Sequence, residues 1–246
     1  MAAKKKISKK KGIAKRANTS MSVAAIKEQL QNEAAGISSQ IGAPDTKSIR
    51  IKDKVFTLPD GTVVQDSLEV VIVDFLSRNN FYEGKWDPKN PESPVCYAID
   101  KSANALVPSP NSSDMQVKKG QDCSECAMNQ WGSDGDGKAC KNTRLLAVIL
   151  PDAEELVVYT MSVPPTAIKG FDGYVGSVAK LYQLPPIGVR TTITFHQEKN
   201  YPLPLFSNPI PNEDIQEHFG FREEADTLLN VEPEAPAAPT KKKGRR

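Results

Sequence analysis

Two cysteines two residues apart, Cys123-Ser-Glu-Cys126, are followed by a glycine-rich stretch, Gly132-Ser-Asp-Gly-Asp-Gly137, and then by a third, Cys140. No other feature restricts the fold as much, because this spacing makes three side chains meet across a tight turn. Such a meeting serves a phosphate cradle, a redox pair or a metal site. Gly132 to Lys138 fits all but the last position of G-x-x-x-x-G-K-[ST]. That cradle needs a buried strand before it, a helix after it and a hydroxyl for magnesium. Here Ala139 replaces the hydroxyl, Asp134 and Asp136 put carboxylates where phosphates would sit, and Cys140 leads into an apolar strand. A calcium loop fails too, since Leu145 stands where its distal glutamate belongs. A thioredoxin-like pair lacks its βαβ setting.

The metal reading remains, with four unrelated buried thiols as its alternative. The C-x-x-C spacing lets two thiolates grip one ion, and the glycine turn brings Cys140 back beside them. Cys96 supplies a fourth thiolate from a neighbouring strand, with His196 and His218 as alternatives for that place. Four thiolates at tetrahedral spacing select zinc, and a site closed to water is structural. The expectation is one structural Zn2+ per chain on Cys96, Cys123, Cys126 and Cys140.

Around the cysteines the hydrophobic period is mostly two. Ile49 and Ile51, Val55–Leu58, a turn at Pro59-Asp60-Gly61 and Thr62–Val64 read as a strand and a hairpin. Leu68–Leu76 reads as a longer, more buried strand, with further strands at Pro94–Ile99, Leu145–Leu150, Glu155–Met161 and Val189–His196. Ser22 caps a short helix through Val23, Ile26 and Leu30 that ends at Gly36. Thr166–Leu184 reads as a helix with Ile168, Phe171, Val175, Val178 and Tyr182 on one side, stopped by Pro185-Pro186. Asn212 caps a last amphipathic segment with Ile215, Phe219 and Leu228 as its apolar positions. The pattern predicts a mainly β, β-rich α+β fold: an OB-like barrel or antiparallel sandwich with a Cys-rich zinc loop, one inter-strand helix and disordered basic termini.

The net charge of +2 conceals an uneven distribution. Residues 1–16 carry eight Lys/Arg and no acid, and 241–246, Lys-Lys-Lys-Gly-Arg-Arg, carry five more. Residues 213–234 hold eight Asp/Glu against Arg222 alone, and residues 17–212 sum to −4. The tips are too charged to pack, and they either attract phosphate polyanions or solubilise the chain. No apolar run approaches the ~20 residues of a membrane helix, and the basic N-terminus lacks the apolar core of a secretory signal. The expectation is a cytoplasmic protein with reduced or metal-bound thiols.

Catalytic templates find no anchor, so no enzyme is expected. The two histidines are far apart, and Asp74 and Glu69 read as edge or hydrogen-bonded residues. Aromatic residues interleave with base instead. Asn80-Phe-Tyr-Glu-Gly-Lys85-Trp86 precedes Cys96. Trp131 lies on the cysteine loop beside Lys138, Lys141 and Arg144, with Lys118 and Lys119 leading in. Rings that stack on unpaired bases and cations that follow the backbone are what a single-strand groove needs. The competing role for Phe81, Tyr82 and Trp131 is core around the metal. Candidate nucleic-acid contacts are Lys85, Trp86, Lys118, Lys119, Trp131, Lys138, Lys141 and Arg144.

The runs FTLPDG, VVIVDFLSRNNFYEGKWDP, PVCYAID, CSECAMNQWGS and GKACKNTRLLAVIL resemble a group of small proteins of tailed phages that share a C-x-x-C…W-G-S…G-K-A-C-K pattern. The resemblance covers about residues 48–200. More distantly, a cysteine insertion in a β-rich domain is similar in architecture to the zinc-containing OB-fold single-stranded DNA-binding proteins of phages. These resemblances imply a non-enzymatic, DNA-favouring single-strand binder of phage DNA replication or recombination, in the host cytoplasm. One departure is that such binders end in an acidic tail, whereas this chain ends in Lys-Lys-Lys-Gly-Arg-Arg. The alternatives are a zinc-ribbon factor that engages a polymerase or other replication proteins, with residues 211–230 as the contact, and a DNA-associated virion component. Neither nucleotide nor membrane is expected as a partner. The chain is thus read as a disordered basic arm (1–21), a short helix and linker (22–47) and a β-rich zinc-containing nucleic-acid-binding domain (48–210). An acidic amphipathic segment with a Pro/Ala linker (211–240) and a basic tip (241–246) complete it.

Overall fold

The computed structural model describes residues 47–84 and 92–233, together with Ser22, Ile26 and Gln29. The chain divides into two units, residues 1–46 and 47–246. In the first, Ile26 and Gln29 are helical, and the Ile26 amide donates to the Ser22 carbonyl at 3.0 Å. Val23, Leu30, the basic arm and both basic tips lie outside the described residues.

The second unit runs β1 (Ser48–Lys52), β2 (Val55–Thr57), β3 (Val63–Val64), β4 (Ser67–Phe81), β5 (Cys96–Asp100), β6 (Lys141–Ile149) and β7 (Tyr159–Val163). Helix α1 (Ile168–Tyr182), β8 (Val189–Phe195), β9 (Pro204–Pro211), α2 (Ile215–Phe219) and α3 (Arg222–Leu229) follow. The strands join in the order β3-β2-β1-β7-β6-β4-β8-β9, with β5 on β4. All pairs are antiparallel except β1 with β7. The fold is therefore mainly β, but it is one curled, open, mixed sheet in place of an antiparallel sandwich.

Strand β4 organises this sheet. Its start, Ser67–Val71, pairs with β8, and its end, Ser77–Phe81, pairs with β5; β6 follows its other edge from Val71 to Asn80. Leu68, Val70 and Ile72 face one core with Leu146, Val148 and Met161, while Val71 and Val73 face the other with Ala147 and Ile149. Both faces are buried here, which is why the sequence runs apolar without alternating. The register with β6 then slips between Ile72 and Asp74, leaving Val73 as the extra residue of a β-bulge. A bulge exchanges the faces of every residue beyond it. Hence Phe75 rejoins the first core and Leu76 the second.

Helix α1 closes over the first core. Phe171 is fully buried there, edge-on to Phe75 (5.1 Å) and Phe206 (4.9 Å). Tyr174, which the predicted apolar stripe omits, is also buried, and its hydroxyl bonds Thr191 Oγ1 at 2.7 Å. The helix ends at Gln183 in the left-handed region (φ 54°) just before the two prolines. On the other face α3 covers the second core with Ala225 and Leu229. The predicted final segment is in fact two helices, and Phe219 is 58% exposed while His218 is buried, Nδ1 3.1 Å from Asn212 Oδ1. Beyond α3, Glu232 accepts hydrogen bonds from Tyr97 Oη, Ser109 Oγ and Asn111 Nδ2, which ties the segment to β5. Strand β9 is absent from the predicted pattern: its prolines suit only an edge.

Phe171 joins the helix to both halves of the first core. Phe171→Ala is expected to lower unfolding free energy by about 3–5 kcal/mol. Denaturant titration checks this, and a loss below about 1 kcal/mol would mean the cavity collapses at little cost.

Candidate functional site

Past the bulge, the row that began with Leu68 and Ile72 continues as Phe75, Ser77, Asn79 and Phe81. On β6 the row Val148–Leu146 continues as Arg144 and Asn142. An apolar face therefore becomes polar at one end of the sheet. Asn79 and Asn142 stand opposite each other, and Asn142 Nδ2 donates to Asn79 Oδ1 at 2.6 Å. On β5 Cys96 pairs with Phe81 and Ala98 with Asn79, so both belong to this polar end.

The cysteine segment packs onto it. Cys123 and Cys126 flank a one-turn 3-10 helix, Cys123–Glu125, and a second such turn, Ala127–Asn129, follows. The amide of Cys123 donates to the Leu106 carbonyl (2.7 Å) and that of Cys140 to Met128 (2.8 Å), fixing both ends of the segment. Between them the chain reverses. Gly132 takes φ 88°, open to glycine, and the Gly132 and Asp134 amides both donate to the Gly137 carbonyl. These amides, which a phosphate cradle would need, are used within the turn, and strand β6 follows directly.

All four cysteines are buried free thiols and line one small cavity of about 10 Å³. The structure thus brings together Cys96, Cys123, Cys126 and Cys140. Neither histidine lines it: His196 follows β8, which pairs with the opposite end of β4, and His218 is bonded to Asn212. Among the described residues no group of three or more His, Cys, Asp or Glu side chains is arranged to hold a metal ion. Burial pushes the Cys140 thiol up to about 12, with the other three cysteines adding to the effect and Lys138 opposing it. Burial likewise pushes Cys123 up to about 11, while a hydrogen bond from Asn79 opposes the shift and Cys96 and Cys126 reinforce it. Unaided, these thiols stay protonated; a dication among them would reverse the balance. The cavity is close to the volume of one water-sized sphere. In chemistry, four thiols are the donors that a soft ion selects.

Beside the cysteines, between their loop and the start of α1, opens a cleft of about 750 Å³. Asn79, Asn142 and Arg144 line it from the sheet, Trp131 and Lys138 from the loop, and Lys169 and Asp172 from the helix. Trp131 is 78% exposed, which rules it out as core around the cysteines. Lys138 Nζ reaches Asn129 Oδ1 at 3.4 Å, Lys141 pairs with Asp134 at 3.1 Å, and Arg144 is engaged by Asp172. Lys118 and Lys119 are exposed but line no part of the cleft. Lys85 and Trp86 lie outside the described residues. Phe81 and Tyr82 are half-buried on the wall of another concavity. Lys169 is the cation that sequence reasoning missed. Its position in the first turn of a helix that follows two prolines was visible, but its place on the cleft wall opposite the cysteine loop depends on how that helix packs on the sheet.

That other concavity, about 900 Å³, has Arg78 and Lys141 against Glu83, Glu92 and Asp134. The cleft instead sets Lys138, Lys141, Arg144 and Lys169 against Asp172 alone. For a polyanion the smaller space is the favourable one. Among the described residues no helix is long and apolar enough to cross a membrane. In comparisons with known proteins, the chain matches no family model, no curated protein and no solved structure.

The exposure of Trp131 has a direct optical consequence. In a Trp86→Phe chain, leaving one of the two tryptophans, emission should be that of a water-exposed indole, quenched by acrylamide almost as readily as free indole. Blue-shifted, protected emission would place the ring inside the protein.

Proposed function

We propose that the protein binds single-stranded nucleic acid, DNA in preference, in the cleft between the cysteine loop and α1, and that a structural zinc ion on Cys96, Cys123, Cys126 and Cys140 holds the loop in place. The observation that carries this reading is a tryptophan 78% exposed on the rim of a cleft whose walls bear four cations and one carboxylate. An indole exposed to water gains by stacking on a base, and every base offers a face to stack on. Lys138 and Lys169 stand on opposite walls and make no ion pair among the described residues. They are placed to follow a backbone as the ring takes a base. The curled sheet serves as an OB-like support, and the basic tips add affinity that does not depend on the cleft. Phage replication or recombination is the setting that the phage-like cysteine pattern suggests. The reading involves no covalent chemistry.

When bound, the zinc ion would supply a fixed cross-link among β5, the two short turns and the start of β6. The residues themselves exclude water and hold the loop's ends. The purified chain should carry one zinc, and Cys123→Ser with Cys126→Ser should release it and lower the melting temperature. Metal analysis and thermal melting check this; full zinc retention in the double variant would remove the metal from the proposal.

Binding tests the function itself. Removing residues 1–16 and 241–246 takes away thirteen cations, so the salt dependence should become shallower while oligothymidylate still binds. The shortened chain should prefer single strands to duplex. Trp131→Ala should weaken binding by ~1–3 kcal/mol for a stacked base, and Lys138→Ala should reduce the salt slope by about one phosphate contact. Equal affinity for duplex and single strand, with no tryptophan quenching, would overturn the cleft. A factor that engages replication proteins would then be the better reading.

A further inference from the structure

The cleft contains one ion pair whose geometry sets it apart from its other charges. Arg144 rises from β6 with its side chain only 10% exposed, whereas Asp172, on α1, is 45% exposed. Arg144 Nε donates to Asp172 Oδ1 at 3.0 Å and Nη2 to Oδ2 at 2.8 Å, a two-pronged contact. A carboxylate and a phosphodiester present the same pair of oxygens to such a fork. The buried guanidinium is fixed in the floor, while its partner can turn toward water. Lys138 and Lys169 have no such partner among the described residues.

We infer that Asp172 is the cleft's built-in competitor for the nucleic-acid backbone: it holds the Arg144 fork until a phosphate seated on the floor displaces it. The inference rests on the cleft being the nucleic-acid site. Approach is then governed by Lys138 and Lys169, and Arg144 engages only on contact. Asp172 sets affinity below what the cations alone would give, which suits a binder that must release its strand. A carboxylate with a purely structural role, tying α1 to the sheet, would not limit binding in this way.

The test uses the full chain with Trp86→Phe, so that quenching of Trp131 by oligothymidylate reports on the cleft. Asp172→Asn keeps a hydrogen-bond acceptor for Arg144 but removes the charge. It should tighten binding by up to about fivefold at low salt, the scale of a partly exposed ion pair. It should also steepen the salt slope by about 0.7, one further phosphate on a single strand. Asp66→Asn, which removes the same charge at the far end of β4, should change neither quantity. Adding Arg144→Gln to Asp172→Asn should abolish the gain. Unchanged or weaker binding by a folded Asp172→Asn chain overturns the inference, as does a gain that persists without Arg144. Absence of quenching in the parent overturns the cleft reading itself, so the two failures are distinguishable.

Discussion

One backbone, β4, must bury both faces at its start and present a polar face at its end. The bulge at Val73 is how it does so. In register, Leu68, Val70 and Ile72 would be followed on the same face by Asp74, an acid aimed into the first core. The extra residue turns Asp74 to the opposite face, where Lys101 Nζ reaches it at 2.9 Å, and brings Phe75 inward instead. Phe75 is the ring that Phe171 meets edge-on, so the seating of α1 depends on that exchange. Without α1 in place, neither Lys169 nor Asp172 reaches the cleft. A single irregularity in pairing thus connects the core to the candidate site.

Electrostatics selects among the surfaces this fold creates. The outer surface is rich in compensated charge: Arg190 alone meets Glu69, Asp152 and Asp214. Such pairs cancel at a distance and offer a polyanion little. The cleft differs because two of its four cations, Lys138 and Lys169, make no ion pair among the described residues and share the cleft lining with an exposed aromatic ring. A near-neutral body therefore does not argue against nucleic-acid binding. What matters is where the cations lack partners, which net charge does not reveal.

Much of the fold could be read locally, and the misses share a physical cause. Spacing alone identified Cys123, Cys126 and Cys140, since the turn at Gly132 closes over a few residues. Cys96 was also legible, because a short strand before an apolar stretch can only present its first side chain to one face or the other. The hairpin through Gly61 (φ 88°) followed from its turn residues. Strand β9 was hidden by its prolines, which are excluded from central strands but not from an edge. Lys118 and Lys119 line no part of the cleft, because nearness to Cys123 in sequence is not nearness to that wall in space. Lys169 and Asp172 belong to the cleft through the curl of the whole sheet, and no local pattern encodes that.

The cysteine site and the cleft share residues as well as a wall. Asn79 lines the same small cavity as Cys123 and accepts from Asn142, which lines the cleft. Asn129 donates to the Cys123 carbonyl at 2.9 Å and receives Lys138 Nζ. Both asparagines are buried, so neither can exchange these partners for water at small cost. Cys123 is thus linked through Asn129 to Lys138, and shares its cavity with Asn79, which holds Asn142. The same two asparagines carry the position of the loop into the cleft. If the thiols close on an ion, Asn142 and Lys138 are held where a backbone can use them. If they do not, the contact from Lys138, at 3.4 Å the longest of these hydrogen bonds, has the least to hold it. On this arrangement the proposed ion acts on binding through the placement of side chains, without touching the strand.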